Sequence, residues 1–104
     1  MIVLNITLKA KEKLNKISEQ KDIWPHQFLR LTIPPIWSGE GDFGIVIDNT
    51  NENDIKINFE NKTILLIDDS INESLSNSTL DYIESEKQIG FNLDIYSTDN
   101  IVSN

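Results

Sequence analysis

Carboxylates dominate the reactive side chains of this chain: seventeen Asp and Glu stand against nine Lys and Arg, one histidine and no cysteine. Glu40, Asp42, Asp48, Asp68 and Asp69 are oxygen donors of the kind that hold Mg²⁺, Ca²⁺ or ferrous iron. Their spacing follows no metal-loop motif, and aspartates at strand ends ordinarily act as turn residues or helix caps, so no metal ligand is assigned. His26 is the sole imidazole and follows Pro25; without thiols or further histidines it reads as a turn residue rather than a ligand. Ser38 and Ser70 have no second histidine to serve as base, so no nucleophile and no catalytic residue is assigned. Gly39, Gly41 and Gly44 do not follow a strand and open a helix, as a phosphate-cradling loop must, and no cofactor is expected.

The missing cysteine excludes disulfides, thiolate zinc sites, cysteine nucleophiles and cysteine-ligated iron–sulfur clusters within the chain. Charge is unevenly placed. Residues 1–21 hold five lysines and two glutamates, a net of +3, whereas the remainder carries −11. Nucleic-acid binding needs clustered Lys and Arg, and the one cluster here is a helix face that reads as a solvated lysine surface; no nucleic acid is expected as partner. No apolar run approaches the roughly 20 residues of a membrane span, and Met1 to Asn5 lacks the pattern of a signal peptide. A cytoplasmic protein without a membrane partner is the expectation.

These residues hang on a simple order of elements. Thr7 stands as an N-cap ahead of a helix that runs to Lys21-Asp22 and buries Leu8 or Ala10, Leu14 and Ile17. Gln27 to Ile33 alternates as a strand, with Leu29, Leu31 and Ile33 on one face and Phe28, Arg30 and Thr32 on the other. Pro34-Pro35 ends it. Ile36 to Asp42 forms a loop, Phe43 to Ile47 a second strand, and Asp48 to Asp54 a polar turn into a strand with Ile55 and Ile57. The unbroken apolar run Ile64 to Ile67 predicts a strand covered on both faces, after which Asp68-Asp69-Ser70 caps a helical turn through Leu75. Thr79 to Glu84 and Phe91 to Ile95 supply the last strands. The sum is a mainly β fold with one substantial N-terminal helix, a compact and mostly antiparallel β-sandwich. It fills one domain over residues 1–97, followed by a polar tail over 98–104.

Several short strings, in order, resemble the HesB/IscA group, the A-type iron–sulfur carriers. They are Ile6-Thr7 with Ala10, Leu29-Arg30-Leu31, Ser38-Gly39, Asp54-Ile55, Leu66-Ile67-Asp68 with Ser70, Leu75, Leu80-Asp81-Tyr82-Ile83 and Gly90-Phe91. The resemblance covers residues 6 to 91 and implies a HesB-like domain. In that family one cysteine precedes the Ser-Gly of the loop and two more form a Cys-Gly-Cys near the C-terminus. Here Trp37 precedes Ser38, and no Cys-Gly-Cys occurs. An indole offers an N–H donor and no ligating lone pair, so the resemblance carries the fold and the pathway but not the carrier chemistry.

The resulting expectation is a non-enzymatic, cluster-free protein-interaction or accessory module related to iron–sulfur cluster assembly or iron handling. Its contact loop is Ile36, Trp37, Ser38, Gly39 and Glu40, its partner is another protein, and a homodimer is implied by the family's habit of self-association. The alternative is a small-molecule or carboxylate-ligated metal-binding protein using residues 36–44. Trp37 has two readings, a plug filling the former cluster space or an exposed aromatic anchor.

Overall fold

The computed structural model describes residues 4–75 and 77–94. Strand β1 (Asn5–Ile6) leads into helix α1 (Leu8–Lys21); β2 (Phe28–Thr32), β3 (Gly44–Asp48), β4 (Asp54–Phe59) and β5 (Lys62–Asp68) follow, then helix α2 (Asp69–Ser74), β6 (Thr79–Glu84) and β7 (Ile89–Asp94). The expected tail over 98–104, and Ile95 of the last expected strand, lie outside the described residues.

Helix α1 begins where the sequence places it. The Thr7 side chain accepts a hydrogen bond from the Ala10 N–H at 3.2 Å and donates to Asp81 Oδ1 of β6 at 2.7 Å, so one hydroxyl caps the helix and ties it to a strand. Asp22 closes the helix in the left-handed conformation, φ 53°. Ala10, Leu14 and Ser18 are its buried positions, while Leu8 is 63% exposed. The capped first turn therefore points Leu8 away from the core and leaves Ala10 to make the contact. Asp68 caps α2 through the Ser70 N–H, as its sequence requires.

The strands form two mixed sheets, of order β1-β6-β7 and β3-β2-β5-β4. Pairs β2–β3, β4–β5 and β6–β7 are antiparallel, and β1–β6 and β2–β5 are parallel. One core joins both sheets and the helix: Ile6 and Leu80 from the first sheet, Leu29, Leu31, Leu65 and Ile67 from the second, and Ala10 and Leu14 from α1. Ile64 to Ile67 is buried throughout, in keeping with a doubly covered strand.

Between β3 and β4 the sequence suggests a turn, but the strand order requires more. These are the two edge strands of the four-stranded sheet, and both run antiparallel to the central pair, so they point the same way. Asp48 ends β3 opposite Phe28 at the start of β2, and Asp54 begins β4 opposite Asp68 at the end of β5. Residues 49–53 must therefore cross a face of the sheet. Three strand spacings amount to about 14 Å, and six Cα steps reach at most about 21 Å, which leaves little slack.

Candidate functional site

The loop between β2 and β3 is built around Trp37. Its backbone N–H donates to the Ile33 carbonyl at 3.0 Å, and its indole Nε1–H donates to the Glu40 carbonyl at 3.1 Å. The ring lies against the backbones of Gly39 and Gly44: a Cβ at either glycine would come within 3.0 Å of three ring atoms. Glycine is therefore required at both places by the indole. Gly41 is required for its backbone conformation, φ 88°. Trp37 is half-buried and does not belong to the core cluster or to the hydrophobics packed on it, whereas Ile33, Phe43 and Ile45 do. The ring thus fits neither reading cleanly, since it is folded onto its own loop. Ile36 is the residue left outward, 70% exposed beside exposed Pro34 and Pro35. Ser38, Gly39 and Glu40 are exposed.

The remaining candidates do not converge. Glu40 and Asp42 are exposed on this loop, and Asp68 is occupied with Ser70, accepting from its N–H at 3.0 Å and its hydroxyl at 2.7 Å. His26 is exposed in a turn, its backbone N–H bonded to the Ile23 carbonyl. Among the described residues no group of three His, Asp or Glu could hold a metal ion. A shallow polar groove of about 560 Å³ runs between the crossing segment and the start of α2, lined by Asn51, Glu52, Asn53, Asp68, Asp69 and Ser70. A basic groove of about 290 Å³ lies along α1, where Lys13 Nζ stands 5.1 Å from the Tyr82 ring centre.

Sequence reading missed Arg30. It lies on the face of β2 opposite Leu29 and Leu31, yet is only 8% exposed. Its Nη1 and Nη2 donate to the two oxygens of Asp54 at 2.6 Å each, its Nε to Asp48 at 2.9 Å and its Nη2 also to the Asn49 carbonyl at 3.0 Å. Asp54, whose side chain is fully buried, also accepts from the Asn51 N–H at 2.8 Å. Arg30 thus grips the crossing segment at both ends. The fork hydrogen bond from Arg30 holds the Asp54 carboxyl below its ordinary range and raises Arg30 in turn. The available signal was one arginine alternating with leucines in an otherwise apolar strand, which asks for a buried carboxylate.

No family model matches the chain, and no curated protein matches it in sequence. Solved structures do. A crystal structure of Escherichia coli SufA, described as involved in biosynthesis of iron–sulfur clusters, aligns with a TM-score of 0.61 at 14% identity, over 89% of this chain and 85% of that one. A solution structure of a protein from Aquifex aeolicus aligns with a TM-score of 0.60 at 22% identity, over 89% of this chain and 91% of that one. The cluster does not fit this chain, because it has no thiolate and the described residues offer no substitute donor group. What the molecule shares with SufA is the fold: two mixed sheets and an N-terminal helix around one core.

Proposed function

We propose that this chain is a non-enzymatic, cluster-free module of iron–sulfur assembly or iron handling, acting by binding another protein through Ile36, Trp37, Ser38, Gly39 and Glu40. The observation that carries the reading is a SufA-like fold in a chain without a single cysteine. The loop supports it in detail. Trp37 spends its ring and its N–H on holding the loop's shape, and this leaves Ile36 presented at 70% exposure by a braced backbone. An apolar side chain held outward without loss of freedom on binding is the form an interface anchor takes.

Two measurements test it. Anaerobic incubation with ferrous iron and sulfide leaves the protein colourless across roughly 300 to 500 nm, the range of thiolate-to-iron charge transfer; a stable brown holoprotein overturns the reading. A photo-crosslinking residue at Ile36, expressed in the source cell, captures a component of iron–sulfur assembly that the same probe at exposed Glu73 does not. Equal capture at both sites removes the loop from the proposal.

A further inference from the structure

We propose that the lysine stripe of α1 is a docking site for an extended, acidic segment of another protein. Lys9, Lys13 and Lys16 stand at i, i+4 and i+7 of α1 and share one of its faces. They line the basic groove of about 290 Å³ together with Glu12, and with Tyr82 and Glu84 of β6. The Tyr82 ring packs edge-on against Phe91, with centroids 5.1 Å apart. Lys13 Nζ lies over that fixed ring, 5.1 Å from its centre, so the middle lysine is held along the groove by an aromatic floor. The three ammonium groups are otherwise unpaired: among the described residues, both ion pairs within 4 Å belong to Arg30. Glu12 has the helical spacing to pair with Lys9 or Lys16 and bridges neither.

The surroundings of the stripe select the kind of anion. A lipid surface needs an apolar helix face to receive, and Ala10 and Leu14 are already in the core, with Leu8 the one large apolar side chain of α1 left exposed. A nucleic acid is a continuous run of negative charge; it would carry phosphates past the stripe onto Glu12, Glu84 and a body of −11. A short acidic segment ends where the lysines end. In an extended chain, carboxylates at every second residue project to one side about 6.7 Å apart. The lysines follow one another by about 6 Å and about 4.5 Å along the helix axis, and their flexible four-carbon stems absorb the difference. Three carboxylates therefore meet three ammonium groups without a change in either backbone. The inference shares no residue with the contact loop and stands whether or not that loop binds a partner.

The probe is a short peptide with aspartate at every second position and serine between, titrated into the ¹⁵N-labelled protein in about 0.02 M NaCl, where surface charge is least screened. Amide shifts confined to α1 and the Tyr82 region give a dissociation constant below about 1 mM, and the same peptide with asparagine for aspartate does not bind. Lys13→Glu weakens binding at least about tenfold, because it sets like charges against each other. Lys56→Glu, exposed on β4 and matched in net charge, changes it less than about threefold. Lys16→Gln, which leaves the Lys13 contact with Tyr82 in place, weakens it at least about threefold with an unchanged circular dichroism spectrum. No binding below 1 mM, shifts centred elsewhere, equal losses in Lys13→Glu and Lys56→Glu, or an oligothymidylate of equal charge binding the stripe as tightly as the peptide each overturns the inference. So does sedimentation heavier than the 11.9 kDa monomer that Lys13→Glu abolishes, which would give the stripe to the acidic body of a second copy.

Discussion

At the scale of single residues, the loop is decided by one side chain and two missing ones. Trp37 needs Gly39 and Gly44 because its ring occupies the volume their Cβ atoms would take. The glycine spacing was legible in the sequence as permissive backbone, but glycine names no partner, and the partner turned out to be a side chain two positions from one glycine and seven from the other. The coupling is measurable. Gly44→Ala forces the ring to move and costs about 1–3 kcal/mol, as overpacking does; in a Trp37→Ala background the same change is nearly neutral. Urea denaturation of the four proteins closes the cycle, and additivity within about 0.5 kcal/mol would mean that ring and glycine are independent. Thr7 shows the opposite case. Its capping role follows from local sequence and is found in place, while its second bond, to Asp81 on a strand 74 positions away, could not be foreseen.

At the scale of elements, α1, α2, β5 and β6 follow from local rules: a cap and an apolar stripe, a capping aspartate, an unbroken apolar run, an alternation. The segment from Asp48 to Asp54 does not, because a polar run between two strands looks the same whether it reverses the chain or carries it across a sheet. Strand order makes it a crossing, and Arg30 is the pin. Replacing Arg30 by Met strands the buried Asp54 carboxylate and costs about 3–5 kcal/mol. Changing both residues to apolar ones recovers most of that loss. The pair also sets an acid limb. Asp54 is held below its unfolded value of 3.8 by the Arg30 hydrogen bond. Its contribution is therefore complete above that value and disappears as pH falls through the lower folded one. Urea midpoints measured from neutral pH down into this range fall for the natural chain, and Asp54→Asn, already destabilised, falls less steeply. Parallel slopes would show that other carboxylates carry the acid sensitivity.

At the scale of the whole molecule, a basic helix packs on an acidic body. The −11 outside the first 21 residues repels itself, and exposed like charges are screened by salt more than the buried Arg30–Asp54 pair. Raising NaCl from about 0.02 M to about 0.3 M therefore raises the melting temperature by a few degrees in calorimetry; a fall would mean that attractions between the basic helix and the acidic body outweigh the repulsion. The sequence by itself determined the composition of the core, the two helices with their caps, most strand positions, the excluded thiolate chemistry and the likeness to the iron–sulfur carrier fold, because each depends on residue type and short-range period. The tertiary structure decided the parallel pairings, the crossing pinned by Arg30 and the indole folded between two glycines. Each of those depends on which distant strands become neighbours, and periodicity along the chain carries no information about that.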